Sequence, residues 1–124
     1  MVDHPDDETV DGLLILRTEG RLHFASVPAA LDRMRELIQE RQPRVVILEC
    51  SAIPDIEYTA LKRMAEGEEK LRQIGVTLWL AGLNPKPLAA VRRSPLGATL
   101  APNRMFSDVR VAVEAFDEGA GPRA

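Results

Sequence analysis

The chain has 124 residues, a length suited to one domain. It contains one cysteine and two histidines, His4 and His23, far apart in sequence. That excludes an intrachain disulfide framework and leaves no local spacing for a zinc site. The net charge of −3 excludes the basic footprint of a nucleic-acid binder, and aromatics make up only 4%, so aliphatic side chains must fill the core.

Charge is unevenly spread. Asp3, Asp6, Asp7, Glu8 and Asp11 fall within residues 1–12, which contain no Lys or Arg. This head reads as an acidic, flexible linker or tail. It has neither the positive start nor the apolar centre of a secretory signal. No stretch approaches the ~20 apolar residues needed to span a bilayer, so a soluble, cytoplasmic chain is expected.

The domain is expected over 13–117. Leu13-Leu14-Ile15-Leu16 reads as a strand, Thr18-Glu19-Gly20-Arg21 as a turn, and Leu22-His23-Phe24 as the returning strand of a hairpin. His23 fits a satisfied strand histidine better than a base. Ser26 and Pro28 suit a helix start, and Val27, Ala30, Leu31, Met34, Leu37 and Ile38 recur at helical spacing until Pro43 stops them. Val45-Val46-Ile47-Leu48 has no polar alternation, which marks a parallel strand covered on both faces.

Residues 51–55 form a loop, with Asp55 as N-cap of a long helix over 56–74. Leu61, Met64, Leu71 and Ile74 mark its buried stripe, Glu66–Lys70 and Glu68–Arg72 its solvated side, and Gly75 its end. Val76 to Ala81 reads as the next strand. Asn84-Pro85 caps and opens a short helix to Arg93. Residues 94–103 read as loop and Met105-Phe106 as a short edge strand. Ser107 caps a last helix through Phe116, and 118–124 fray as a flexible tail. The alternation implies an α/β fold: a mixed sheet of four to five strands flanked by about four helices.

In such sheets sites lie beyond the carboxyl ends of the strands. The segment Leu48-Glu49-Cys50-Ser51-Ala52-Ile53-Pro54-Asp55-Ile56-Glu57-Tyr58-Thr59-Ala60 gathers polar groups at a helix start. It resembles the central segment of the STAS domain of SulP-family anion transporters. There the strand ends in an Asp-x-Ser-Ala-(Val/Ile)-Pro-like run, and an acidic-x-Thr-(Ala/Gly)-Leu run opens the helix. Arg21-Leu22-His23-Phe24-Ala25-Ser26 and Ile74 to Pro85 extend the resemblance over roughly 13–116.

The resemblance implies a STAS-like (SpoIIAA-like) fold and a non-catalytic regulatory module. That module would lie on the cytoplasmic face of the inner membrane, where it works with the transmembrane domain of a sulfate or related anion transporter, with a protein partner or as a homodimer. Free-standing relatives are anti-sigma-factor antagonists, phosphorylated at the position of Thr59. Their Asp-Ser-Ser/Thr-Gly pattern is here Glu57-Tyr58-Thr59-Ala60. Ser51, Asp55, Glu57, Tyr58 and Thr59 are the candidate interaction residues, with Thr59 the candidate phosphoacceptor.

Each has a plainer alternative. Thr59 suits a local hydrogen bond to the backbone, Glu57 suits the helix dipole, and Tyr58 is either an exposed anchor or core. The lone Cys50 fits a buried apolar role, and Trp79 packs under a helix with its N–H seeking a partner. Arg92, Arg93 and Arg104 form a modest basic cluster, read first as solvated surface. A nucleotide or anion at the helix start is a further reading. No Walker A or dinucleotide motif occurs, nor a nucleophile–base pair or metal set, so no enzyme, cofactor, metal or nucleic-acid role is expected.

Overall fold

The computed structural model describes residues 7–10, 12–17, 27–100 and 103–118. Five strands form one sheet: β1 (Asp7–Val10), β2 (Leu13–Arg17), β3 (Val45–Glu49), β4 (Thr77–Ala81) and β5 (Met105–Phe106). They lie side by side in chain order, β1 antiparallel to β2 and the rest parallel. The helices are α1 (Val27–Arg41), α2 (Tyr58–Gln73), α3 (Pro85–Arg92), α4 (Pro95–Leu100) and α5 (Val109–Asp117).

This order dictates where the helices go. Parallel crossovers are right-handed, and here every step moves the same way across the sheet. All connecting helices therefore fall on one face. Leu14, Leu16, Val46, Leu48, Leu78 and Leu80 meet α1 to α4 there, through Met34, Leu61, Met64, Val91 and Leu96 among others. The alternate residues Leu13, Ile15, Val45, Ile47 and Trp79 face the other way and are covered by α5. Both faces are buried, which explains the unbroken aliphatic runs of β2 and β3.

The Trp79 indole packs beneath α5 against Phe106 at 4.8 Å and edge-on to Phe116 at 6.4 Å. Its N–H finds no hydrogen-bond partner among the described residues. Aromatic packing of about 0.5–1.5 kcal/mol per pair offsets much of that cost.

Several expectations are corrected. The supposed linker 1–12 contains β1, whose Asp7 pairs with Leu16 and Val10 with Leu13. The hairpin thus lies one strand earlier than expected, and Leu13 to Arg17 is its second strand. The signal was Asp11-Gly12, a dipeptide suited to two-residue hairpin loops; Gly12 has φ 83. The expected return strand at Leu22-His23-Phe24 lies outside the described residues.

Residues 95–100, read as loop, form α4, which makes five helices among the described residues where about four were expected. Ser94 precedes Pro95, and its Oγ accepts from Gly97 N at 3.4 Å while Leu96 and Leu100 are buried. Asp108, not Ser107, caps α5, accepting from Val111 N at 2.9 Å. Glu68 is not solvated: it is 2% exposed and bonds Arg72 at 2.8 Å, whereas Glu66 and Lys70 form no ion pair.

Candidate functional site

The carboxyl ends of β3 and β4 bring two loops together. The chain leaves β3 at Glu49 and turns at once. Cys50 N donates to Ala81 O at 2.8 Å, and Ile53 N to Cys50 O at 3.0 Å. Cys50, Ile53 and Ile56 are buried in the main core, so every third position of the loop is pinned from below. The residues between and just after them turn outward: Ser51, Ala52, Pro54, Glu57, Tyr58 and Thr59 are exposed and Asp55 is half-buried.

Polar contacts of the Asn84, Asp55 and Glu49 side chains tie this loop down. The Asn84 amide donates to Ser51 O at 3.0 Å and to Ile53 O at 3.2 Å. The Lys86 ammonium lies 3.6 Å from Asp55 Oδ2, while Asp55 Oδ1 accepts from Ile56 N at 2.9 Å. Glu49 Oε2 accepts from Ser51 N at 3.2 Å. Glu49 is only 9% exposed, and it stands beside Arg17 in the register of β2 and β3. Gly82, at φ 76, leaves room for it: a Cβ there would come within 2.8 Å of Glu49 Oε2.

Asp55 is not the N-cap of α2. Glu57 holds that position, in extended geometry and with no side-chain capping bond, and its carbonyl accepts from Leu61 N at 3.0 Å. The helix therefore starts at Tyr58, two residues later than expected, because Ile56 is drawn into the core. Tyr58, on the first helical residue, is 66% exposed, so it is not core. The Thr59 hydroxyl makes no hydrogen bond among the described residues, and its expected backbone bond is not formed. Asn84 caps α3 by position, but its side chain serves the neighbouring loop instead. Sequence reasoning missed that role, because a contact between residues 31 and 33 apart leaves no local pattern.

Cys50 is held inert. Its thiol is pushed up to about 12 by burial and then by the neighbouring Glu49 carboxylate, and Sγ donates to Leu48 O at 3.4 Å. Arg92 and Arg93 are exposed and Arg104 is half-buried.

The sheet topology limits what these ends can do. Ligand crevices in open α/β sheets form where strand order reverses, and β2 to β5 run in unbroken sequence. Among the described residues no cluster of three or more His, Cys, Asp or Glu has metal-binding geometry. The loop thus presents Ser51, Glu57, Tyr58 and Thr59 to solvent as a ridge above its buried anchors Cys50, Ile53 and Ile56.

The STAS domain family model matches residues 4–112. The chain belongs to the STAS domain family. Sulfate transporter 3.1 of Arabidopsis thaliana is 28% identical to this STAS domain over 123 residues, covering 90% of the chain and 19% of the transporter. The chain thus spans about a fifth of the length of the curated relatives it matches, and those relatives are sulfate transporters. A sulfate transporter family protein of Wolinella succinogenes shares the fold with a TM-score of 0.78 at 24% identity, over 94% of this chain and 97% of that one. A candidate anti-sigma factor antagonist from Thermotoga maritima does so at 0.71 and 15% identity, over 87% and 90%. The STAS model starts at residue 4, ahead of the expected boundary at 13, in keeping with β1 as part of the domain. No helix among the described residues is long and apolar enough to cross a membrane.

Proposed function

We propose that this STAS domain is a non-catalytic regulatory and interaction module of a SulP-type sulfate or related anion transporter, working at the cytoplasmic face of the membrane. One observation carries the reading: Ile53 and Ile56 lock the 51–60 loop into the core while Ser51, Glu57, Tyr58 and Thr59 stand outside it. A loop fixed in this way loses little conformational freedom when something binds. The transporter relatives support the setting. Movement or modification of whatever grips the ridge would bias how the domain sits against the membrane-embedded part or a second copy.

The test is made in the full transporter, expressed in cells lacking their own sulfate uptake. Substituting Asp55, Glu57, Tyr58 and Thr59 together is expected to alter uptake or surface assembly, while the isolated domain keeps its circular dichroism spectrum. Unchanged uptake and assembly would refute the role.

A second reading has its own observation. Thr59 presents an exposed hydroxyl with no hydrogen bond among the described residues, at the start of α2. A free-standing antagonist phosphorylated there would gain a dianion next to helix N–H groups. Mass spectrometry after incubation with cell extract would detect it, and an unmodified Thr59 counts against it.

A further inference from the structure

The two faces of the sheet are closed differently. On the first, α2 buries Ala60, Leu61, Met64 and Leu71. On the second, α5 buries only Ala112, while Val109, Val113, Ala115 and Phe116 pack against the sheet and stay half-buried. Apolar attachment scales with the area removed from water, so α5 is held more weakly than α2.

Polar bonds do not compensate. Among the described residues the hydrogen bonds and ion pairs of α5 are all its own. Asp108 Oδ1 accepts from Val111 N at 2.9 Å, Asp108 O from Ala112 N at 3.2 Å and Glu114 O from Glu118 N at 3.0 Å, and Arg110 lies 3.8 Å from Glu114. The helix is therefore capped and complete without the sheet. Its charged attachment among the described residues is the Arg44 guanidinium, 4.9 Å over the Phe116 ring. Gly82 N donates to Phe106 O at 3.0 Å, which fixes β5. Ser107 and Asp108 follow, both exposed, with Asp108 in extended backbone.

Trp79 adds an independent observation. Its indole is 1% exposed, and the N–H has no acceptor among the described residues. With α5 in place this donor forgoes the hydrogen bond that water would give it; with α5 lifted it regains one. Lifting α5 thus breaks no hydrogen bond to the described part of the sheet and forms one. What is lost is aromatic and apolar contact, centred on Phe116, which lies edge-on to Trp79 at 6.4 Å and over Gly12, where a Cβ would stand 3.4 Å from the ring.

We propose that α5 is a hinged cover: it swings away as a folded helix about Ser107 and Asp108 while the sheet and α1 to α4 stay assembled, and it bares the face formed by Leu13, Ile15, Val45, Ile47 and Trp79. Phe116 is the catch at its far end. Cooperative units that bury little apolar surface open at a lower free energy than the whole domain. Closed, this face is dry; open, it is a second apolar surface, gated by the last helix. The inference concerns the fold itself and does not rest on the transporter reading.

The test is native-state hydrogen exchange of the 124-residue chain, followed by NMR in guanidinium below the unfolding transition. Trp79 is the only tryptophan, so its indole proton is a lone signal for the covered face. That proton and the amides of Ala112 and Val113 are expected to exchange through one common opening, at least about tenfold more often than the amides of Val46 and Ile47. The denaturant dependence of this opening is expected to fall between zero and that of β3. Phe116→Ala is expected to raise it about tenfold; Arg44→Gln, the milder change should the first variant fail to fold, about threefold. Ile38→Val weakens the first face alone, and is expected to speed exchange in β3 about fivefold while leaving α5 and the indole unchanged. The proposal is overturned if α5 and the indole exchange no faster than β3, if Ile38→Val speeds all of them alike, or if the folded variants at Phe116 and Arg44 leave the opening unchanged. It is also overturned if the α5 amides exchange while the indole stays protected, since that is fraying of the helix in place.

Discussion

The side-chain amide of Asn84 donates to the main-chain carbonyl of Ser51 at 3.0 Å, joining two loops that chain order keeps far apart. A second bond, to Ile53 O, makes it a clamp. Without it, two carbonyls at the top of the sheet lose their protein donor. Asn84→Ala is expected to cost roughly 1–2 kcal/mol in urea unfolding. It should also speed amide hydrogen exchange at residues 50–57 more than elsewhere. Uniform exchange with unchanged stability would show that the clamp does not hold the ridge.

Tyr58 should behave oppositely. It stands on the first turn of α2, largely in solvent. Tyr58→Ala is expected to change stability by no more than about 0.5 kcal/mol. A drop of ~2 kcal/mol or more in the melt would mean that the ring packs inward.

Cys50 links the ridge to alkaline stability. Burial lifts its thiol from an ordinary 9.0 to about 12. Above 9 the unfolded chain loses this proton while the folded chain keeps it. The stabilising contribution is therefore complete below pH 9 and is lost as pH rises towards 12, at about 1.4 kcal/mol per pH unit from this group. Cys50→Ala should flatten that slope between pH 9 and 11 in urea titrations. At pH 8 the native thiol should react with a maleimide only as fast as the protein opens.

Gly97 marks where α4 sits hard against α3. A Cβ there would clash with Val91 O and meet Arg92 Cα at 2.8 Å, both backbone. Gly97→Ala is expected to destabilise by roughly 1–3 kcal/mol. Gly75→Asn, in open space and at a left-handed position that Asn tolerates, should cost less than ~1 kcal/mol. Equal melting temperatures for the two variants would contradict the packing.

Local patterning was enough for the core of the fold. The aliphatic runs at Val45 to Leu48 and Val76 to Ala81 and the stripe of Leu61, Met64 and Leu71 each follow from period and propensity, which neighbouring residues carry; Ile74, expected on that stripe, is instead 65% exposed, because the helix ends at Gln73. The order of these runs, with the residues leading into the long helix, was enough to indicate the family. The loop after Leu48 as a carboxyl-end feature followed from the same alternation.

Contacts between distant residues decided the rest. That β1 belongs to the sheet depends on its pairing with Leu13 to Leu16, which outweighs an acidic composition suited to a tail. That α2 begins at Tyr58 and not Ile56 depends on the core drawing Ile56 inward. Which of Ser51 to Thr59 face solvent depends on Ile53 and Ile56 seating beneath them and on Asn84 arriving from the next crossover. Burial and hydrogen bonding across thirty residues have no periodic trace, so only the assembled sheet could place them.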